Sequence, residues 1–70
     1  MRDPNRLYGF YSELQRIHIA HFPDLRFGQF CINLFSWIQA KTGRDPFFLE
    51  ESNMIDYLHE YVEQSFVRGR

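Results

Sequence analysis

The sequence predicts an all-α protein, a compact three-helix domain without a sheet. Apolar residues recur at spacings of three and four in three separate stretches of the chain. Proline or glycine interrupts the intervals between these stretches, as expected where helices end. A chain of 70 residues is long enough for only one core. We therefore expect residues 1–70 to form a single small helical domain.

The first stretch predicts a helix from about residue 4 to about residue 21. Its buried side should contain the residues that recur at helical spacing: Leu7, Phe10, Tyr11, Leu14, Ile17, His18 and His21. Asp3 can accept hydrogen bonds from the free N–H groups of the first turn, and Pro4 suits the first helical position. Gly9 inside the helix indicates either close approach of another backbone or simple tolerance of glycine.

The second stretch predicts a helix from about residue 25 to about residue 42. Pro23 disfavours helical geometry at the residue before it, and Asp24 is placed to cap the new helix. The expected buried side consists of Phe27, Phe30, Cys31, Leu34, Phe35 and Ile38. Gly28 is expected to admit a neighbouring helix or the connector that follows, and Gly43 is a natural left-handed stop.

A short irregular connector, RDPFFLEES at residues 44–52, separates the second stretch from the third. Asp45 and Pro46 can begin a single helical turn, because they repeat the Asp-Pro pair that precedes the first helix. Three apolar residues follow them: Phe47, Phe48 and Leu49. We expect at least two of the three to cover one end of the core, because all three in solvent would form an exposed apolar patch that is prone to aggregation.

The third stretch predicts a helix from about residue 53 to about residue 66, capped by Ser52 or Asn53. Acidic residues near its start suit the positive end of a helix. Its expected buried side consists of Met54, Ile55, Leu58, Tyr61, Val62, Ser65 and Phe66. Arg68 and Arg70 are expected to lie at the negative end of the helix and to fray into a tail.

Charge is distributed unevenly along the chain. Residues 1–44 carry six basic and three acidic side chains, whereas residues 45–70 carry two basic and six acidic ones, for a net charge of −1. We favour the interpretation that the acidic third helix packs beside the two basic helices within one molecule. The alternative is a dipolar molecule that orients on a charged partner or on a second copy of itself.

Three motifs carry a resemblance: RDPNRL at the start, PDLRFGQF with Asn33 after it, and DPFFLEES before the last helix. In this order they resemble a family of short uncharacterised bacterial and phage-borne proteins with a DPNR start, a PDLRFGQ middle and a DPF[YF]xE[DE] element. The resemblance covers about the first 55 residues. It implies a bacterial or phage origin and a stand-alone domain, and it implies no activity.

The sequence predicts a cytoplasmic protein without a membrane role. Cys31 is the only cysteine, so no disulfide can form within the chain, and the start MRDPNRLYGF lacks the apolar run of a signal peptide. The most apolar window, FCINLFSWI, is interrupted by Asn33 and Ser36 and is too short to span a bilayer.

Candidate catalytic and metal-binding residues are few. His18, His21 and Cys31 could supply nitrogen and sulfur ligands for zinc, but no second cysteine or HxxxH pattern completes the set. We expect the two histidines to meet exposed carbonyl groups at the end of the first helix, and Cys31 to be a buried, inert thiol. No catalytic residue, cofactor, metal site or small-molecule substrate is expected, so the sequence favours a protein that is not an enzyme.

The function we favour from the sequence is a protein–protein interaction module or a self-associating module. The candidate contact residues are Tyr8, Ile19, Arg26, Gln29 and Asn33. For Arg26 we favour a structural role instead, as a bidentate clamp on one carboxylate of the connector. The possible partners of this clamp are Asp45, Glu50 and Glu51.

The alternative function is a small nucleic-acid-binding regulator. Two helices joined by a short turn resemble helix-turn-helix geometry, and the second helix has a polar side composed of Arg26, Gln29, Asn33 and Ser36. Such side chains read base edges. A net charge of −1 and an isoelectric point near 6.2 make the attraction to phosphate weak, so a protein partner or a second copy is favoured over nucleic acid.

Overall fold

A computed structural model describes the backbone of residues 2–68 and the side chains of residues 2–65. The described elements are α1 at Arg6–His21, α2 at Phe27–Thr42, a 3₁₀ turn at Pro46–Phe48 and α3 at Glu51–Arg68. No strand occurs in this part of the chain, which confirms the predicted all-α, three-helix fold. The roles predicted for the side chains of Phe66 and Arg68, and for Arg70, lie outside the described residues.

The start of α1 differs from the prediction. The Asp3 carboxylate accepts a hydrogen bond from the Asn5 backbone N–H at 2.9 Å, which closes a turn through Pro4 before the helix begins. The helix starts at Arg6, and the side chain of Asn5 makes no capping hydrogen bond. Asp3 and Pro4 therefore form a turn that leads into α1, and the prediction that they are its cap and its first residue is wrong.

The cap of α2 is also different from the predicted one. Asp24 lies in the turn, and the helix begins only after Arg26, whose backbone is extended with φ −66° and ψ 153°. The Gln29 side-chain carbonyl accepts a hydrogen bond from the Arg26 backbone N–H at 2.8 Å. The cap that was predicted from Asp24 is therefore provided by Gln29, which lies inside the helix. Pro23 follows the end of α1 at His21, as predicted.

The core is small and lies where α3 packs against both other helices. Its buried residues are Ile17, Phe30, Leu34, Ile38, Met54 and Leu58. All six belong to the predicted buried sides, so the periodicity identified the centre of the core correctly.

Several residues of the predicted buried sides are exposed instead. Tyr11 and Phe27 are each 58% exposed, Phe35 is 39% exposed, and His21 lies at the surface. For α2 the reason is that its apolar residues extend beyond one side of the helix, and the neighbouring helices cover only one side. None of the helices within residues 2–68 is long and apolar enough to cross a bilayer.

The glycines give one confirmed and one wrong prediction. Gly43 is left-handed with φ 74°, and its N–H donates to the Gln39 carbonyl at 2.8 Å, as expected of a helix stop. A Cβ atom added at Gly28 or at Gly9 would meet no atom within 4 Å. The close approach of another element predicted for Gly28 is therefore wrong, and at Gly9 glycine is simply tolerated.

The connector contains the largest departure from the prediction. Asp45 caps the 3₁₀ turn by accepting a hydrogen bond from the Phe47 N–H at 3.0 Å, and Pro46 is its first residue, as predicted. However, only Leu49 packs against the core, while Phe47 and Phe48 are 82% and 77% exposed. A single helical turn presents one side to the protein, and Pro46 and Leu49, both partly buried, occupy that side.

Ion pairs join α3 and the residue before it to the basic part of the chain. Arg6 pairs with Glu51 at 2.9 Å and Lys41 pairs with Glu60 at 3.5 Å. A third pair joins Arg2 to Glu50. These contacts confirm the favoured interpretation of the charge distribution. Because the groups are partly or largely exposed to water, each pair stabilises the fold by at most about 1 kcal/mol.

Candidate interaction surface

Most of the large apolar side chains that the fold leaves in solvent lie on α2 and on the 3₁₀ turn. They are Phe27, Ile32, Phe35, Phe47 and Phe48. We name these five residues the aromatic face. Within the described side chains the other exposed large apolar residues lie on α1: Tyr8, Tyr11 and Ile19.

Helical spacing spreads the members of the aromatic face that belong to α2 over part of the helix circumference. Phe27 and Ile32 are five positions apart, which is about 140° around the helix, and Phe35 lies between them in direction. Phe35 is the least exposed of the five because the 3₁₀ turn lies against this part of α2. Phe35 and Phe47 line the same groove, so these two members are joined in the fold.

An open groove joins α2 to the 3₁₀ turn within this surface. It has a volume of about 360 Å³ and is lined by Phe35, Gln39, Asp45, Pro46 and Phe47. The rings of Phe47 and Phe48 meet edge to face, with centroids 4.8 Å apart and planes at 82°. This pairing gives the outer edge of the groove a defined shape.

The apolar area of the aromatic face is large for a chain of this size. An aromatic side chain presents roughly 200 Å² when fully exposed, so the exposed fractions of the five residues correspond to roughly 600 Å². The largest apolar patch of a typical monomeric protein is about 300 to 600 Å² and often has a function. The summed exposed area of these five residues is therefore comparable with the largest patch of a typical monomer.

The predicted clamp between Arg26 and the connector is wrong. Each carboxylate proposed for it has another partner: Asp45 caps the 3₁₀ turn, Glu50 pairs with Arg2, and Glu51 pairs with Arg6. The hydrogen bond from the Arg6 guanidinium lowers the pKa of the Glu51 carboxyl below its usual range. Arg2 and Arg6 are nearer in the fold to these carboxylates than Arg26, although they are farther away along the sequence.

Two arginines flank the aromatic face. Arg26 immediately precedes α2, and Arg44 follows its left-handed end at Gly43. Both are exposed, and neither pairs with a carboxylate of residues 2–65. The surface is thus an apolar strip with a positive charge near each end of α2.

The contact residues predicted from the sequence are Tyr8, Ile19, Arg26, Gln29 and Asn33, and all five are exposed. Tyr8 and Ile19, at 75% and 65% exposure, belong to the outer side of α1. The side chain of Gln29 is engaged in capping α2. That these five residues contact a partner remains a prediction.

Sequence reasoning missed most of the aromatic face because it assigned Phe27 and Phe35 to the core. It also expected at least two of the connector residues Phe47, Phe48 and Leu49 to cover one end of that core. One signal was present in the sequence. Ile32 is a large apolar residue outside the expected buried side of α2, which indicates that this helix carries more apolar residues than one side can hold.

The residues considered for zinc have structural surroundings. The His18 ring stacks on Phe30 with centroids 4.8 Å apart, and its Nε2 donates to the Leu25 carbonyl at 2.8 Å. Burial raises the pKa of the Cys31 thiol, which disfavours the reactive thiolate. Among the described residues, no three His, Cys, Asp or Glu side chains gather as metal ligands.

The acid with the largest pKa shift, Glu13, lies on α1 and contacts α3. Hydrogen bonds from Arg16 at 2.7 Å and from His59 at 2.6 Å lower the pKa of Glu13 to about 2. A carboxylate of such low pKa is a poor proton acceptor near neutral pH. The cluster is therefore suited to joining α1 to α3 and not to general base catalysis.

Comparisons with known proteins return no match: no family model, no curated protein and no solved structure is similar to this chain. The resemblance noted in the sequence thus remains a prediction. What the protein does must be inferred from its own surface.

Proposed function

We propose that this protein is a non-catalytic, cytoplasmic interaction module that binds a protein or a second copy of itself through the aromatic face. The observation that carries the proposal is the exposure of Phe47 and Phe48, at 82% and 77%, beside Phe35. Exposed apolar area is unfavourable in water, and exposed aromatic side chains beside a groove are typical of a protein contact surface.

The composition of the surface supports this proposal. The centres of protein interfaces are rich in aromatic side chains and poor in charged ones, and arginine is enriched at interfaces. Four of the five members of the aromatic face are phenylalanines, and the nearby arginines are Arg26 and Arg44. The groove beside Phe35 offers a concave site into which a partner side chain can insert.

Support for a non-catalytic role comes from the groups that could perform chemistry. His18 is stacked and hydrogen-bonded, Cys31 has a raised pKa, and Glu13 accepts hydrogen bonds from Arg16 and His59. None of these three belongs to the aromatic face.

The test compares two double variants of matched type. Phe47→Ser/Phe48→Ser changes the aromatic face, and Tyr8→Ser/Ile19→Ser changes residues of similar exposure on α1. We expect wild-type protein and the α1 variant to associate with a partner or with themselves in pull-down and light-scattering experiments, and the face variant to lose that association. Wild-type protein that stays monomeric and captures nothing, or an association that the face variant retains, contradicts the proposal.

The nucleic-acid alternative is favoured by the exposure of Arg26, Asn33 and Ser36 on one side of α2. Two observations weigh against it. Gln29 is engaged as the cap of α2, and the Lys41 ammonium lies 5.6 Å from the Trp37 ring and pairs with Glu60. A mobility-shift assay at low salt tests it, and failure to bind DNA or RNA under those conditions removes it.

A further inference from the structure

We propose that residues 2–9, the segment that leads into α1 and its first turn, form a latch on the start of α3. The latch stays docked while its arginines pair with Glu50 and Glu51, and high ionic strength releases it. This conformational device goes beyond the proposed function and does not involve the aromatic face. It is supported by the local structure of the first turn, by the charges at the two helix starts, and by the packing between them.

The first turn of α1 is weak by its own local structure. The Arg6, Leu7 and Tyr8 N–H groups donate to carbonyls three residues back at 3.2, 3.1 and 3.3 Å, whereas such bonds are usually about 2.9 to 3.0 Å long. The side chain of Asn5, which precedes the helix, makes no capping hydrogen bond. No packing requires the glycine at position 9, and glycine weakens a helix relative to alanine. This turn therefore needs support from another part of the fold.

The charges at the two helix starts are complementary. Arg6 is the first residue of α1, where the helix dipole disfavours a cation, and no acid lies in that first turn. Glu51 is the first residue of α3, where the dipole favours an anion. Pairing with Glu51 therefore compensates the unfavourable position of Arg6. The compensation exists only while the two helix starts are in contact.

The packing between the two helix starts is incomplete. An open pocket of about 220 Å³ is lined by residues from both: Arg6, Phe10, Glu50, Glu51, Ser52 and Ile55. Among residues 2–9 only Leu7 is partly buried, and the others are exposed. Undocking of this segment therefore exposes little additional apolar area, which is typical of regions that open without unfolding the whole protein.

Two ion pairs join the segment to the start of α3. The Arg6 Nε donates to the Glu51 carboxylate at 2.9 Å, and Arg2 pairs with Glu50. The Arg6 guanidinium also donates to the Asp3 carbonyl at 3.1 Å, which ties the preceding turn to the helix. The electrostatic screening distance falls from about 30 Å at 0.01 M salt to about 3 Å at 1 M, so salt weakens such exposed pairs.

The first experiment measures the exchange of wild-type amide hydrogens with water by NMR, at about 0.01 M and about 1 M sodium chloride. The protection factor compares each measured rate with the rate of an unfolded chain. We expect the protection factors of Leu7 and Tyr8 to fall about twofold to fivefold at the higher salt, because each pair stabilises the docked state modestly. Those of Leu34 and Leu58, in the core, should not fall. Protection at Leu7 and Tyr8 that is unchanged, or that falls equally in the core, overturns the latch.

The second experiment repeats the low-salt measurement on matched variants. Glu51→Gln leaves Arg6 at the positive end of α1 without its partner, so the protection factor of Tyr8 should fall about fivefold. Glu60→Gln is the control, because Glu60 is also an exposed acid of α3 but pairs with Lys41 of α2. Circular dichroism checks that both variants keep their helices. An effect of Glu51→Gln no larger than that of Glu60→Gln contradicts the proposal.

A rescue variant separates opening of the first turn from a direct effect of the lost charge. Gly9→Ala strengthens this part of α1 without changing either ion pair, because the space around Gly9 is open. Added to Glu51→Gln, it should raise the protection factor of Tyr8 about fivefold. A protection factor that does not rise overturns the latch. The proposed function is tested separately, by association of the face variant, and its outcome does not depend on these measurements.

Discussion

The two sides of α2 carry the same kind of residue with opposite outcomes. On the inner side Phe30 is 0% exposed and stacks against His18 and Phe22, with ring centroids at 4.8 and 5.4 Å. On the outer side Phe35 remains 39% exposed, beside a connector that leaves Phe47 at 82%. Periodicity therefore predicts the helix, but burial depends on how many other elements are available to cover it.

The inner side is built from successive ring contacts. The Phe22 ring stacks on Tyr61 at 5.5 Å, and Tyr61 lies 5.3 Å from Trp37. Such pairs each contribute about 0.5 to 1.5 kcal/mol beyond the area they bury. On the outer side the rings of Phe47 and Phe48 form one such pair, in solvent. Variants on each side test this comparison.

The largest contrast should come from truncating one phenylalanine on each side. We expect Phe30→Ala to lower the free energy of unfolding by about 3 to 5 kcal/mol, because it opens a cavity in a small core. Phe47→Ala should change it by less than about 0.5 kcal/mol in dilute solution, since its ring is exposed. Urea unfolding followed by circular dichroism measures both, and equal losses would contradict the assignment of the two sides.

A smaller effect is expected where α2 turns into the connector. Gly43→Ala should destabilise the protein by about 1 kcal/mol, because alanine is strained at φ 74° although space is open around it. Gly9→Ala, within α1 and also in open space, should stabilise it by up to about 1 kcal/mol. Thermal unfolding of the two variants should show opposite shifts, and shifts of the same sign would count against the assigned backbone of Gly43.

The two candidate caps of α2 should differ by less. Gln29→Ala should cost about 0.5 to 1 kcal/mol of unfolding free energy, since it removes the acceptor for the Arg26 N–H. Asp24→Ala should cost little, because Asp24 lies in the turn and does not begin the helix. If denaturant titration finds that Asp24→Ala lowers the free energy of unfolding more than Gln29→Ala, then Asp24 is the cap of α2, as the sequence predicted.

The smallest effect is expected at the ion cluster that joins α1 to α3. The folded pKa of Glu13, about 2, lies below its ordinary value of 4.5. The carboxylate therefore stabilises the fold above about pH 4.5, and this stabilisation is lost as the pH falls towards 2. Glu13→Gln should be less stable than wild type at neutral pH and should lose less stability on acidification. Parallel acid unfolding curves would contradict this role.

The parts of the fold predicted from the sequence depend on local chemistry. The six core residues follow from helical periodicity, and Gly43 and the Asp45 cap follow from backbone preferences within a few residues. These features need no knowledge of which helices pack together.

The parts that the sequence did not predict depend on competition between distant groups. Asp24 and Gln29 are both suitable caps, and the extended backbone of Arg26 decides between them. Glu50 and Glu51 were predicted as possible partners of Arg26. They pair instead with Arg2 and Arg6, because tertiary packing brings these two arginines closer to them. Phe27 and Phe35 were assigned to the core because periodicity cannot show that three helices are too few to cover every apolar residue.

The central claim is that the inner side of α2 is complete within the chain, whereas Phe47 and Phe48 are left in solvent for a partner. NMR of the folded wild-type protein in dilute solution, with a soluble paramagnetic agent, tests it most directly, because the agent broadens the signals of the side chains that it reaches. We predict strong broadening of the ring signals of Phe47 and Phe48 and little broadening of those of Phe30. Equal broadening at Phe30, or rings of Phe47 and Phe48 that are protected in the monomer, would contradict the account.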